Sequence, residues 1–74
     1  MQVHVTAGPW AKEYIQGTQV KTLRENATVL DLVNAVGLPA DEVGFAVVGD
    51  QALPKDALLE DGMAVELYPV IVGG

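Results

Sequence analysis

The sequence predicts one α+β domain, in which a mixed β-sheet of four to five strands has a single main helix packed across one face. The predicted strands do not alternate regularly with helices, and only one segment carries a complete helical apolar stripe. The chain has 74 residues, half of them hydrophobic, and it contains no cysteine. Such a chain must fold on apolar packing, since disulfides and thiolate metal sites are excluded.

Two strands are predicted in the first third of the chain. Residues 2–7 alternate polar and apolar side chains, which indicates a half-buried strand with Val3 and Val5 pointing inward. Residues 18–23 are rich in the β-branched side chains that are typical of strands. His4 would lie on the outward face of the first strand, where we interpret it as an exposed structural histidine rather than a functional one.

A short helix is predicted between these two strands. Pro9 suits a first helical turn, because its missing N–H would be unpaired there in any case. Residues 10–16 fit about two helical turns, which Gly17 ends. Trp10 and Tyr14 then share one side of the helix, and we interpret them as a cap over the small core rather than as a partner-facing patch.

The main helix has the clearest signals in the sequence. Thr28 and Asp31 resemble a capping box in which Asp takes the place of the preferred Glu. Gly37 provides a left-handed stop, and Pro39 prevents the helix from resuming. The apolar stripe between these limits consists of Val29, Leu32, Val33 and Val36.

The second half of the chain is predicted to contain three strands. Residues 44–48 form a continuous apolar run, which indicates a strand buried on both faces or nearly so. Residues 51–53 are expected to pair briefly, and residues 54–60 to form a connection with a single helical turn. A turn at Asp61-Gly62 precedes the last strand.

The last strand is predicted over residues 63–70, with Val65 and Leu67 facing inward and Glu66 and Tyr68 facing outward. Residues 1–72 would then form the folded domain, and residues 73–74 a Gly-Gly tail. Three apolar residues precede this tail: Val70, Ile71 and Val72. They either finish the strand or lie beyond it as an exposed interaction surface.

The charge balance limits the classes of partner. Ten acidic residues against four basic ones give a net charge of −6. Such a surface repels phosphate backbones and anionic lipids, so neither nucleic acid nor membrane is expected as a partner. Three acids near the last turn could dock a basic protein or simply form a solvated loop: Asp56, Glu60 and Asp61. The lack of cysteine, of a signal segment and of a long apolar run favours a cytoplasmic protein.

The end of the sequence resembles that of a known family. Residues 61–74 are similar to the D-G-x-x-V-x-x-x-P-V-x-G-G ending of the MoaD/ThiS family of ubiquitin-like sulfur-carrier proteins. Residues 27–32 are similar to the A-T-V-x-D-L segment that is common in the same family. The resemblance covers essentially the whole chain, and it implies the β-grasp (ubiquitin-like) fold that the predicted order of strands and helices also fits.

The resemblance implies a carrier rather than an enzyme. A ubiquitin-activating-like enzyme would use ATP to adenylate Gly74, and the carboxyl-AMP would then accept sulfur to give a thiocarboxylate. Gly73 and Val72 would enter the active site of that partner. The carrier itself would hold no cofactor and no metal, and it carries no recognisable acid/base set, catalytic triad or phosphate loop. A docking surface is expected at Tyr68, Val70 and Ile71.

The biosynthetic pathway that the carrier serves is predicted from residues 7–17 and from the exact form of the C-terminal motif. Residues 7–17 look like the F-A-x-x-R-E-x-x-G helix of the molybdopterin-synthase small subunit, whereas ThiS proteins are usually shorter here. This favours a monomeric carrier that donates sulfur in molybdopterin biosynthesis, with the large subunit of molybdopterin synthase as acceptor. Tyr68 replaces the first proline of the usual P-P-V-x-G-G ending, and Val72 is an additional residue. The alternatives are a ThiS-type carrier for thiamine synthesis, a modifier conjugated to lysines through Gly74, and a plain binding module.

Overall fold

The computed structural model describes residues 1–71. Five strands form one sheet, and a single α-helix accompanies them. The elements are β1 (Gln2–Ala7), β2 (Gln19–Thr22), α1 (Val29–Val36), β3 (Val43–Val48), β4 (Gln51–Leu53) and β5 (Ala64–Pro69), with short 3₁₀ turns at Pro9–Ala11 and Ala40–Glu42. The predicted α+β class, with a mixed sheet and one main helix, is confirmed.

The strand order across the sheet is β2-β1-β5-β3-β4. The first and last strands, β1 and β5, lie side by side and parallel, while every other neighbouring pair is antiparallel. β5 is therefore the central strand, and its carboxyl end lies between the last residues of β1 and the first residues of β3. This placement decides where the chain leaves the domain.

The core lies between α1 and one face of the sheet. The four inward predictions for β1 and β5 are confirmed, since each of these side chains is at most 2% exposed: Val3, Val5, Val65 and Leu67. The helix contributes three fully buried residues from its apolar stripe, namely Val29, Leu32 and Val33. Removing these side chains from water is the main favourable term in the folding of so small a domain.

The main helix begins and ends where the sequence predicts. The Thr28 hydroxyl accepts a hydrogen bond from the Asp31 amide at 3.2 Å, and the Asp31 carboxylate accepts one from the Thr28 amide at 2.9 Å. Gly37 closes the helix with φ at +91°, in the left-handed region that glycine tolerates best. The capping box and the glycine stop are thus both confirmed.

The predicted two-turn helix over residues 10–16 is wrong. Only the 3₁₀ turn at residues 9–11 is helical, and irregular turns follow it. The buried side chains are Ala11 and Ile15, while Trp10 is half-buried against the core and Tyr14 is 42% exposed. The segment between Gly8 and Gly17 is too short to nucleate a stable helix by itself, so packing of two aliphatic side chains decides its path.

Two predictions for the second half of the chain also need correction. β3 is covered on one face only, because the single helix lies on one side: Val43 and Ala46 are fully buried, whereas Val47 is half-exposed. Residues 54–60 contain one hydrogen-bonded turn, in which the Ala57 amide donates to the Pro54 carbonyl at 3.1 Å, but no helix. Their carbonyl groups instead accept hydrogen bonds from the first free amides of α1, at 3.0 Å to Val29 and 2.9 Å to Leu30.

Within residues 1–71, no helix is both long enough and apolar enough to cross a membrane.

Candidate functional site

The chain leaves the sheet at the end of β5, beside the first residues of β3. The register of this pair is irregular, because Val43 lies opposite Pro69 and Phe45 lies opposite Tyr68, which leaves Gly44 as a bulge. One residue beyond the strand, the Val70 amide donates a hydrogen bond of 3.0 Å to the Glu42 carbonyl. This bond attaches the departing chain to the 3₁₀ turn that precedes β3.

Gly44 lies unusually close to the departing chain. A Cβ atom added to Gly44 would lie 2.9 Å from the Pro69 carbonyl oxygen and 3.1 Å from the Val70 Cα. Both contacts are with backbone atoms, so no side-chain rotation could relieve them. Sequence reasoning treated Gly44 only as part of an apolar run, and no local signal identifies the close approach, since the two segments are far apart in the chain.

The apolar residues after β5 are exposed. Val70 is 45% exposed and Ile71 is 80% exposed, so of the two interpretations of this segment the structure supports an exposed surface beyond the strand. Val72, Gly73 and Gly74, to which the sequence assigns the reactive tail, lie outside the described residues. Two exposed apolar side chains at the point where the chain leaves the domain are typical of a contact surface.

An aromatic pair lies next to this exit on the face of the sheet opposite α1. The rings of Phe45 and Tyr68 stack with their centroids 5.1 Å apart and their planes at 3°. Tyr68 was predicted to face outward, but Phe45 was not identified, because its partner is set by the β3–β5 register rather than by local sequence. The Glu66 carboxylate, through hydrogen bonding and then through its charge, raises the pKa of Tyr68, which keeps the phenol neutral.

Acidic residues lie both beside the exit and at the opposite end of the sheet. Asp41 and Glu42 border a groove of about 420 Å³ beside the exit, together with Trp10 and Val70. Asp61, one of the three acids near the last turn, lies at the opposite end of the sheet, where its carboxylate accepts a hydrogen bond from the Gln2 amide at 2.7 Å. Asp61 therefore does not extend the surface around the exit.

His4 lies on the outer sheet face, as predicted, at the rim of a shallow hollow of about 230 Å³ that Glu66 and Val47 also line. Among residues 1–71, no group of three or more histidine and acidic side chains is arranged to hold a metal ion. The described part of the site offers apolar surface at the chain exit, through an aromatic pair and two exposed aliphatic residues.

We call the group formed by Phe45, Tyr68, Val70 and Ile71 the exit surface.

A five-stranded mixed sheet, one helix across it and an exposed exit from the central strand define a small ubiquitin-like protein. In agreement, the family model described as Mut7-C ubiquitin matches residues 11–72. The chain belongs to this Mut7-C ubiquitin family, and the ubiquitin-like resemblance inferred from its sequence is confirmed.

The same architecture occurs among solved structures. The crystal structure of SAMP1 from Haloferax volcanii superposes with a TM-score of 0.73 over 100% of both chains, at 20% sequence identity. At that identity the similarity shows the fold alone. No curated protein sequence matches the chain.

Proposed function

We propose that this protein is a sulfur carrier, activated at the carboxylate of Gly74, that donates its sulfur in molybdopterin biosynthesis. The observation that carries the proposal is the exit from β5: the strand stops at Pro69, and Val70 and Ile71 project from the domain as exposed apolar residues. A segment attached at such a point is available to a partner's active site, and the Gly-Gly pair has no side chain to obstruct its entry.

The chemistry requires a partner enzyme. A terminal carboxylate, with a pKa near 3.5, is ionised at neutral pH and is a poor electrophile. Transfer of AMP from ATP to the Gly74 carboxylate releases pyrophosphate and creates a good leaving group. Attack of hydrosulfide on the acyl carbon then expels AMP and leaves a thiocarboxylate, in which one oxygen has been replaced by sulfur. The carrier supplies the reacting terminus, and the adenylating enzyme supplies the catalysis and consumes the ATP.

The exit surface is the proposed docking site for both partners. Stacked aromatic rings provide rigid apolar contact area with little loss of conformational entropy, and such side chains dominate many interfaces. Tyr68 is neutral at physiological pH, so its burial in an interface does not require a charge to be desolvated. Phe45 extends the docking residues that the sequence identifies at the end of β5.

The acceptor is the more specific part of the proposal. The resemblance of residues 7–17 to the corresponding segment of the molybdopterin-synthase small subunit supports the large subunit of that enzyme as the recipient of sulfur. In thiamine synthesis the recipient would differ, although activation of Gly74 would be the same. Sulfur transfer to purified acceptors therefore distinguishes the two pathways.

The first experiment is intact mass spectrometry of the full chain after incubation with an adenylating enzyme, ATP and sulfide. We expect a gain of about 16 mass units from the exchange of oxygen for sulfur. A variant lacking Gly74 is the control, and it should stay unmodified while retaining the melting temperature of the wild type, because a terminal residue contributes few contacts. A loaded truncation variant would contradict the proposal.

Two other outcomes identify the alternatives. If the enzyme is active on another carrier but leaves this chain unchanged, the plain binding-module interpretation replaces the proposal. If an immunoblot of cell lysate shows a ladder of heavier species that disappears with the Gly74 deletion, conjugation to lysines replaces sulfur transfer.

A further inference from the structure

The bulge in β3 places a glycine directly under the segment that leaves β5. The register shifts between Val43 and Phe45, so Gly44 has no regular partner in the ladder. Its backbone φ is not in the left-handed region, unlike that of Gly37 or Gly49. A left-handed backbone conformation therefore does not explain a glycine at this position.

The lack of room for a side chain explains the glycine at position 44 instead. The nearest atoms to a Cβ on Gly44 would be the Pro69 carbonyl oxygen at 2.9 Å, the Val70 Cα at 3.1 Å and the Pro69 carbonyl carbon at 3.3 Å. Close-packed protein interiors do not accommodate a carbon atom at the first of these distances without movement. Because all three atoms belong to the backbone, the whole segment around Pro69 and Val70 would have to move away from β3.

The same segment is also attached by a hydrogen bond to the residue just before β3. The Val70 amide donates to the Glu42 carbonyl at 3.0 Å, so residues 69 and 70 are limited sterically by Gly44 and held by a polar contact at Glu42. Displacement by a Cβ would lengthen or break this bond. Together the two contacts set the direction in which Val70 and Ile71 leave the sheet.

We propose that Gly44 is a positioning residue for activation of the carrier, because its missing side chain lets the exit segment pack on the bulge and directs the chain toward the partner's active site. This inference rests on the proposed function. The docking residues Phe45 and Tyr68 belong to the two strands that the bulge joins. Gly44 therefore fixes the exit direction relative to the surface on which the enzyme docks.

A substitution at Gly44 should therefore affect docking and turnover differently. A Cβ at Gly44 leaves the stacked rings available for docking but misdirects the segment that carries the reacting carboxylate. Small errors in the placement of reacting groups reduce rates strongly, by up to about a hundredfold for a displacement of about 1 Å. We therefore expect Gly44→Ala to lower kcat for adenylation by about tenfold or more, with KM within about twofold of the wild type.

The experiment measures pyrophosphate release by the adenylating enzyme at varied concentrations of the full-length carrier. A second variant, Val70→Pro, removes the amide hydrogen that bonds to Glu42 without adding an atom at Gly44, and we expect the same loss in kcat. Hydrogen exchange of the Val70 amide gives an independent measurement. In Gly44→Ala this amide should exchange faster than in the wild type, while the amides of β1 and β5 stay protected.

A matched control separates positioning from stability. Leu59 is 4% exposed and precedes the start of β5, at the opposite end of the strand from the exit. Leu59→Ala should destabilise the domain without touching the exit segment, and its kcat below the melting transition should equal that of the wild type.

Four outcomes would decide whether Gly44 positions the exit segment. Equal kcat for Gly44→Ala and the wild type, or unchanged exchange at Val70, would overturn the inference while leaving the carrier function intact. A loss of kcat in Leu59→Ala as large as that in Gly44→Ala would also overturn it, because stability would then explain both. If the wild-type chain itself is not adenylated by an active enzyme, the proposed function fails rather than the role of Gly44.

Discussion

At the scale of single residues, the exit surface depends on side chains that come together only across strands. Tyr68 on β5 stacks on Phe45 of β3. The pair lies on the face of the sheet opposite the helix, where it is partly exposed. Val20 lies on the same outer face but on the edge strand β2, where it is 52% exposed. Tyr68 is therefore the residue that tests docking, and Val20 on the same sheet face is the control.

Tyr68→Ala should weaken docking to the adenylating enzyme. Truncating an aromatic side chain in an interface removes its apolar contact with the partner and commonly costs more than about 1 kcal/mol, so we expect a rise in Kd of about fivefold or more. Calorimetric titration of the carrier into the enzyme measures this directly. Val20→Ala, which removes an exposed side chain far from the exit, should leave the Kd unchanged; equal weakening by both variants would argue against a localised docking surface.

At the scale of elements, α1 is stable because its ends are satisfied. With eight residues it is shorter than isolated helices that persist in water. The capping box at Thr28 closes its first turn. The two remaining amides of that turn, at Val29 and Leu30, donate hydrogen bonds to the carbonyl groups of Ala57 and Lys55. Asp31 also accepts a hydrogen bond from the Arg24 guanidinium at 3.0 Å.

The cap should make folding stability depend on acid pH. The hydrogen bond from the Thr28 amide, assisted by the Arg24 charge, lowers the pKa of Asp31 from its usual 3.8. A lowered folded-state pKa means that the ionised carboxylate contributes stability above pH 3.8, and that this contribution is lost as the pH falls through the folded pKa. Urea denaturation should show Asp31→Asn to be less stable than the wild type at neutral pH.

The difference between Asp31→Asn and the wild type should shrink as the pH falls below 3.8 through the lowered pKa, because the wild-type carboxyl is then increasingly protonated. Asp50→Asn, which removes the same charge from an exposed turn, is the matched control and should show no comparable effect at neutral pH. A stability difference for Asp31→Asn that stays constant from neutral to acid pH would contradict the assigned role of the carboxylate.

At the scale of the whole molecule, one thin core supports every other feature. The sheet is covered by a single helix, and the largest fully buried side chains belong to one cluster that includes Val5, Leu32 and Leu67. A domain of this size buries a smaller fraction of its surface than larger domains do. Its stability therefore depends strongly on each large core residue.

Leu32→Ala should destabilise the domain by about 2–5 kcal/mol, through lost apolar burial and the cavity that remains. This is a large part of the roughly 5–15 kcal/mol that typical domains possess. Leu30→Ala on the same helix is the matched control, since Leu30 is 37% exposed while Leu32 is fully buried. Urea denaturation of both variants measures the difference, and a similar loss for Leu30→Ala would contradict the position of the core.

The sequence by itself determined the parts of this protein that depend on near neighbours. The capping box at Thr28, the stop at Gly37, the turn at Gly62 and the inward positions of β5 all follow from contacts or periodicities within a few residues. The order of strands and helices could also be predicted, and with it the α+β class. The exact path of residues 10–16 could not, because short segments take their conformation from what they pack against.

Only the tertiary structure decided which strands are neighbours, and the exit surface follows from that choice. β1 and β5 come from opposite ends of the chain yet lie side by side, and the β3–β5 register brings Phe45 onto Tyr68 and Gly44 under Pro69. Pairing between strands far apart in sequence depends on the hydrophobic pattern and packing of the whole sheet. No local pattern encodes it, so the close approach at Gly44 became apparent only when the folded sheet placed the two backbones together.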